Sequence, residues 1–198
     1  MFIQIMQGKC TRQEEMRGAL DRWRAECEPG AMGWLGGTYG FTDNDQFVAV
    51  VRFESKEAAA ANSDRKEQGE WWTETEKLFD SPVEFHNCSK VTMMLDGGSD
   101  EAGFVQVMRG KVTDPARLAS MTEEMTNLLH KERPDIIGST LAIEDDGTFT
   151  ETVAFTDEAA ARAGESKEMP AELREPWEGM VSDMSYLDLH HPWFATHK

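Results

Sequence analysis

The segment Phe2-Ile-Gln-Ile-Met-Gln-Gly-Lys9 returns later in the chain as Phe104-Val-Gln-Val-Met-Arg-Gly-Lys111. The two copies are 102 positions apart, and the same offset pairs Phe47 with Phe149 without a gap. One offset that holds over about 90 residues indicates a duplication, and its period is the size of a small domain. The sequence therefore predicts two homologous halves, at 1–95 and 104–198, joined by a polar, glycine-rich linker at 96–103.

The composition restricts the class of protein. Of the 198 residues, 39% are hydrophobic and 29% charged, which predicts an ordinary soluble globular chain. The net charge of −17 disfavours partners such as nucleic acids and anionic membranes, because their phosphates would be repelled. No apolar run approaches the roughly 18 residues of a membrane span, and the N-terminal segment resembles a strand, not a signal peptide. The three cysteines have no counterparts in the second half, which favours a reducing, cytoplasmic location over structural disulfides.

Each half shows the same order of signals: strand, helix, strand, strand, helix, strand. The first strand is apolar on both faces, which is typical of a strand that is buried on both sides. Short runs rich in Asp, Asn and Gly join the second and third strands, and these runs indicate hairpin turns. Thr11 and Thr113 are predicted to cap the first helix of each half, and Ser55 and Asp157 the second.

The order βαββαβ is that of the ferredoxin-like unit, in which both helices cover one face of a four-stranded antiparallel sheet. The strand residues that point away from the helices are also largely apolar, so this second face needs cover as well. We therefore predict an α+β chain whose two ferredoxin-like sheets pair into one closed α/β-barrel. The linker would keep the two halves at a high effective concentration, and an assembly of two such chains is left open.

Two short segments carry a resemblance to a known family. Phe53-Glu-Ser-Lys-Glu-Ala58, with Ala61-Asn62 after it, and Phe155-Thr-Asp-Glu-Ala-Ala160 resemble the strand-to-helix junction of antibiotic-biosynthesis-monooxygenase (ABM) domains. Together with the order and size of the elements, they resemble the dimeric α/β-barrel superfamily over nearly the whole chain. These motifs are short and degenerate, so the resemblance bears on the fold more than on the activity.

The resemblance implies a ligand and a reaction. The family includes small oxygenases that use no metal or organic cofactor and hold an aromatic substrate between sheet and helices. Such a site needs an aromatic-walled pocket, a few hydrogen-bond donors and exclusion of water. Asn62 matches a position, early in the second helix, where the family often has a polar pocket residue. The first half offers Asn62, Arg65 and Trp72 as predicted catalytic residues and Trp34, Tyr39, Trp71 and His86 as predicted substrate-binding residues, and Gln4 and Gln106 join the second group because both halves keep them.

Each of these residues also has a purely structural interpretation. The tryptophans can be packing residues, Arg65 a surface residue, Asn62 a helix cap and His86 an edge histidine. Gln4 and Gln106, which both halves keep, can bond to each other near a pseudo-twofold axis. Trp34, Tyr39, Asn62 and Trp72 are not repeated in the second half, which favours one specialised pocket in the first half.

Other classes of protein are disfavoured or left open. A haem-degrading relative would need a histidine on the second helix, and neither half has one. His190, His191 and His197 have no zinc-ligand spacing and are interpreted as a solvated tail, so no metal site is predicted. A non-enzymatic ligand-binding protein and a barrel filled by its own side chains remain as alternatives to an oxygenase.

Overall fold

The computed structural model describes residues 1–167 and 171–196. The first part of the chain contains β1 (Phe2–Lys9), α1 (Gln13–Glu26), β2 (Trp34–Phe41), β3 (Gln46–Phe53), α2 (Lys56–Ser63), α3 (Lys66–Thr75), β4 (Glu84–Cys88) and β5 (Lys90–Met94). The second part contains β6 (Phe104–Val112), α4 (Pro115–Glu132), β7 (Ile136–Ile143), β8 (Thr148–Phe155), α5 (Glu158–Glu165), α6 (Ala171–Met180), β9 (Val181–Leu189) and β10 (Trp193–Thr196). No helix within these described residues is long and apolar enough to cross a membrane.

The strands form two open antiparallel sheets of five strands each. Their orders are β10-β2-β3-β1-β4 and β5-β7-β8-β6-β9. Each sheet contains the ferredoxin-like arrangement of four strands, with one more strand added beside β2 or β7. The α+β class and the two ferredoxin-like repeats are therefore confirmed. The predicted closed barrel is wrong, because the strand pairing gives two open sheets and not one closed one.

The compact units of the chain do not follow the repeat boundaries. Unit 1 comprises Met1–Ser89 and Trp193–Lys198, and unit 2 comprises Lys90–Pro192. A single residue, Ser89, separates β4 in unit 1 from β5 in unit 2. The repeat bounds 1–95 and 104–198 describe a predicted duplication, whereas the units are defined by contacts.

Two short strands pair with sheets that the sequence pattern did not indicate. The sequence pattern predicts a solvated tail after residue 190, but residues 193–196 form β10 and pair with β2 in unit 1. Residues 90–94 form β5 and pair with β7 in unit 2. His197 lies outside the described residues.

Two of the four predicted helix caps are present in the structure. Ser55 Oγ accepts a hydrogen bond from the Ala58 amide at 3.1 Å, and Asp157 Oδ1 caps α5 in the same way. Thr11 does not cap α1, because its amide and its hydroxyl both donate to Asp80 Oδ2, at 2.7 and 2.9 Å. Thr113 is likewise not a cap, since its hydroxyl donates to the Met180 carbonyl oxygen.

Both faces of β1 are buried, as its pattern predicts. Phe2 and Met6 belong to a hydrophobic core that includes residues of α1 and the aromatic side chains of β2 and β3. On the opposite face, Ile3 and Ile5 are fully buried. The helix-facing side of the unit 1 sheet is the side on which the candidate site is found.

Candidate functional site

Unit 1 contains a cavity of about 230 Å³ between the helix-facing side of its sheet and α1, α2 and α3. Its walls come from every strand of the β2-β3-β1-β4 arrangement and from all three helices. None of the residues that line it has a charged side chain at neutral pH. The lining residues are Gln4, Met6, Leu20, Trp23, Trp34, Tyr39, Ala49, Val51, Phe53, Asn62, Ser63, Gln68, Gly69, Trp71, Trp72 and Phe85.

Aromatic rings form most of the wall. Trp23 on α1 meets Trp34 of β2 edge to face, with ring centroids 5.1 Å apart. Trp71 and Trp72 on α3 have centroids 6.1 Å apart, and Trp72 meets Phe85 of β4 edge to face at 5.3 Å. Such walls suit a flat apolar ligand, because aromatic pairs favour edge-to-face and offset contacts. Of the predicted residues, Trp34, Trp71 and Trp72 are thus brought together.

Asn62, at the end of α2, presents a polar group to the cavity. It is 6% exposed, and its Oδ1 accepts a hydrogen bond from Arg65 Nη1 at 3.0 Å. Its Nδ2 donates to Gln68 Oε1 at 3.3 Å, and the same oxygen accepts from Trp23 Nε1 at 2.6 Å. The second hydrogen on Nδ2 is not used in that bond, so this amide retains one donor.

Arg65 does not line the cavity. Its Nη1 donates to the Cys27 carbonyl oxygen at 2.8 Å as well as to Asn62, and its guanidinium lies against Gly30. Arg65 therefore lies behind Asn62 and not at the cavity wall. Its contacts fix the position of the Asn62 amide and tie α2 to the loop after α1.

The two glutamines that both halves keep do not bond to each other. Gln4 lines the cavity, and its Nε2 donates to Asn87 Oδ1 on the neighbouring strand at 3.0 Å. Gln106 in unit 2 donates to Asp188 Oδ1 at 2.9 Å and to Glu165 Oε1 at 3.1 Å. Each amide is thus held by its own unit, and the expected mutual pair is wrong.

His86 lies away from the cavity. It is opposite Ile5 in the β1–β4 ladder, on the sheet face that points away from the helices. Its Nε2 is 3.6 Å from Glu84 Oε2. The cavity residue on this strand is instead its neighbour Phe85. The structure therefore separates His86 from the other predicted site residues.

Tyr39 lines the cavity from β2 and is 5% exposed. Its ring lies back over Gly37, where a Cβ would overlap the phenol oxygen. Burial raises the pKa of Tyr39 far above that of a free phenol, while the Arg52 charge opposes this only in part. The side chain is therefore a neutral hydroxyl at physiological pH.

The C-terminal strand adds a residue that the sequence pattern did not predict. Trp193 is opposite Tyr39 in the β10–β2 ladder, and the two rings stack at 5.9 Å with an angle of 27°. The Arg17 guanidinium lies over the Trp193 ring, 3.9 Å from its centroid. The signal for this strand was weak, since four residues next to two histidines are too short for a clear period. Trp23 and Gln68 were missed as well, although Trp23 lies on the apolar stripe of α1.

Unit 2 carries different side chains at the equivalent positions. Glu151 takes the place of Ala49 and is 8% exposed, and its Oε1 accepts a hydrogen bond from Ser139 Oγ at 3.0 Å. Burial raises the pKa of the Glu151 carboxyl, and the Ser139 bond opposes this only in part. Gly164 takes the place of Asn62, and the Arg133 guanidinium lies where a side chain at this position would project. The two units are therefore not equivalent as binding sites.

Comparison with known proteins bears on the fold. No protein-family model and no curated protein matches the sequence. A candidate monooxygenase from Lactobacillus acidophilus NCFM has a TM-score of 0.75 at 14% identity, over 98% of this chain and 95% of its own. An anthrone oxidase-like protein has a TM-score of 0.70 at 10% identity, with 98% of this chain and 92% of that chain covered.

A third structure relates the fold to the ABM proteins. An uncharacterized ferredoxin-fold protein from Listeria monocytogenes, related to antibiotic biosynthesis monooxygenases, has a TM-score of 0.52 at 9% identity. The match covers 96% of this chain and 94% of that one. At these identities the likeness is one of fold. This chain therefore has the tandem ferredoxin-like fold of the ABM-like, monooxygenase-like proteins.

Proposed function

We propose that this protein binds a small apolar or aromatic molecule in the unit 1 cavity and oxidises it with molecular oxygen, without a metal or an organic cofactor. The observation that carries the proposal is an aromatic-walled cavity of about 230 Å³, with an amide donor at its wall and no charged lining residue. Concave, mostly apolar pockets with few placed polar groups are the usual form of small-molecule sites. The full-length likeness to an anthrone oxidase-like protein suggests the class of substrate.

The proposed reaction converts a ring methylene beside a conjugated carbonyl system into a second carbonyl. The bound substrate loses a proton to a water molecule at the open side of the cavity and becomes an enolate, which transfers electrons to oxygen and forms a carbon–oxygen bond. The resulting peroxide anion takes a proton back from water, and the hydroperoxide so formed loses water. The balance is one CH₂ group and one O₂ consumed, and one C=O group and one H₂O formed.

The cavity supports this reaction by position and by exclusion of water. The spare hydrogen of Asn62 Nδ2 would donate to the enolate oxygen as charge develops there, which is the most effective place for a fixed donor. Trp34, Trp71 and Trp72 would hold the ring system and keep water out. Arg65 would act through Asn62, as a positioning residue.

A second candidate is a binding protein without catalysis. One observation favours it: Tyr39 is the only titratable residue in the lining, and burial raises its pKa, so the cavity offers no general base. A structural barrel with a filled interior is the least supported of the three, because the cavity is open and Asn62 reaches it.

Oxygen uptake with a panel of anthrones and hydroquinones tests the proposal. Asn62→Ala and Trp72→Ala are each expected to lower the rate by roughly tenfold or more, the scale on which the loss of one transition-state donor acts. Asn44→Ala, in an exposed turn, and Trp177→Ala, in unit 2, are the matched controls. Rates that the Asn62 and Trp72 variants leave unchanged would contradict the assignment, and binding without any uptake would favour the second candidate.

A further inference from the structure

The Tyr39 hydroxyl is a polar group of the cavity wall that remains accessible from the cavity. No described residue exchanges a hydrogen bond with it, although the side chain is only 5% exposed and lines the cavity. Buried phenols usually find a hydrogen-bond partner, since an unmade bond has a free-energy cost. Gln4, Asn62, Gln68 and Ser63, four other polar side chains of the lining, each make at least one hydrogen bond within unit 1. The Tyr39 hydroxyl is thus a donor that a ligand would meet in addition to the spare hydrogen of Asn62 Nδ2.

We propose that Tyr39 determines which ligands the cavity accepts: its hydroxyl donates one hydrogen bond to an acceptor oxygen of a neutral aromatic molecule. The inference rests on the proposed function, since it concerns the ligand of the same cavity. A ring carbonyl would accept the hydrogen bond of the Tyr39 hydroxyl, and this bond would replace the one that the carbonyl loses when it leaves water. A hydrocarbon of the same shape would leave the phenol unpaired.

The uncharged lining disfavours ligands that carry a permanent charge. All sixteen lining residues are uncharged, and the guanidinium of Arg65, which lies outside the lining, is engaged by Asn62 and Cys27. A carboxylate or an ammonium group in this cavity would have no counter-charge, and a buried unpaired charge is strongly unfavourable. The ligand class is therefore a neutral aromatic ketone or a similar acceptor.

Trp193 is the positioning residue for this donor. Its ring stacks on Tyr39 at 5.9 Å and on Phe41 at 5.8 Å, and Arg17 lies on it at 3.9 Å. With Gly37 beneath the phenol, these contacts fix the direction of the Tyr39 ring. The C-terminal strand would thus complete a site whose other residues all lie between positions 4 and 85.

A matched pair of probes, fluorene and 9-fluorenone, isolates the hydrogen bond. The two differ only by a carbonyl in place of a methylene, and quenching of the four cavity tryptophans gives both affinities in the full chain. We expect the native protein to bind fluorenone about three- to tenfold more tightly, the effect of one net hydrogen bond. Fluorene-9-carboxylate is expected to bind at least about tenfold more weakly than fluorene.

Tyr39→Phe should abolish the preference for fluorenone and leave the affinity for fluorene nearly unchanged. Tyr186→Phe, the same change at a residue that is 57% exposed, should keep the preference. Trp193→Ala should reduce the fluorenone-to-fluorene ratio and Trp193→Phe should largely restore it. A merely structural loss would weaken both probes equally and leave their ratio intact.

The outcomes separate the two proposals. If both probes bind the native protein equally, or if Tyr39→Phe keeps the ratio, the inference about Tyr39 is overturned while the cavity remains a ligand site. If the carboxylate binds as tightly as fluorene, the claim of a neutral ligand class is overturned. If none of the three probes binds, the proposed function fails, and the inference fails with it.

Discussion

In each unit, an arginine guanidinium occupies the space beside a glycine. In unit 1, Arg65 reaches from the α2–α3 junction to the space beside Gly30. In unit 2, Arg133 reaches from the loop after α4 to the space beside Gly164. Arg133 is held there by a two-nitrogen contact with Asp135, in which Nη2 is 2.7 Å from Oδ2. The position that carries the Asn62 amide at the cavity of unit 1 is therefore occupied by the Arg133 guanidinium in unit 2.

This packing makes Gly164 intolerant of a side chain. A Cβ at Gly164 would overlap the Arg133 guanidinium, which cannot shift without breaking its bonds to Asp135. We expect Gly164→Ala to lower the free energy of unfolding by about 1–3 kcal/mol, as overpacking commonly does. Gly179→Ala is the control, because a Cβ there meets nothing within 4 Å. Equal effects of the two substitutions in chemical denaturation would show that Arg133 does not occupy this space.

Glu151 is the second residue that distinguishes the units. It replaces Ala49 of the cavity floor, and only one described hydrogen bond, from Ser139, satisfies its buried carboxyl. Because burial raises the pKa of this carboxyl, the folded chain binds a proton there that the unfolded chain has already released. At pH values above the pKa of a glutamate in the unfolded chain, Glu151 thus makes stability fall as pH rises.

Glu151→Gln should remove the loss of stability that the buried carboxyl causes as pH rises. Glutamine keeps an acceptor for Ser139 and cannot ionise, so the variant is expected to unfold at a higher temperature at pH 7 and to show a flatter pH profile. A gain of about 1 kcal/mol corresponds to roughly 2–4 °C for a chain of this size. Glu178→Gln, on the exposed side of α6, is the control in thermal unfolding across pH 4–8. A variant that is less stable than the native chain throughout this range would contradict a buried, protonated Glu151.

At the scale of elements, local pattern predicted which segments are helices and strands but not which sheet receives the last strand of each half. The both-face apolar pattern of β1, the hairpin turns and the caps at Ser55 and Asp157 are local signals, and the structure agrees with them. The Thr11 cap failed because Asp80, 69 residues away, takes both of its donors. A tertiary partner of this kind leaves no trace in a window of ten residues.

The sequence pattern did not predict that β5 pairs with β7 and that β10 pairs with β2, for a similar reason. Lys90–Met94 and Trp193–Thr196 follow β4 and β9 after short breaks, so in the sequence they look like continuations of those strands or like a tail. Only the register with β7 and β2 assigns them to their sheets.

The candidate site shows the same difference between local and long-range signals. Asn62 and Trp34 were predicted because their side chains are unusual for a helix and a strand of this kind. Trp193 was not predicted, because its contact with Tyr39 depends on the pairing of β10 with β2.

At the scale of the whole molecule, the two units carry different side chains at equivalent positions. Unit 1 has an uncharged aromatic cavity, whereas unit 2 places a carboxyl and a guanidinium at two of the equivalent positions. In a duplicated chain each unit can change without its counterpart. We therefore propose that one cavity per chain, in unit 1, receives a neutral aromatic ligand.

A crystal structure of the full chain with 9-fluorenone would show where the ligand binds. We expect one ligand per chain, between Trp34 and Trp72, with its carbonyl oxygen within hydrogen-bonding distance of Tyr39 Oη. A ligand bound in unit 2, or a unit 1 cavity that stays empty at saturating ligand, would contradict this expectation.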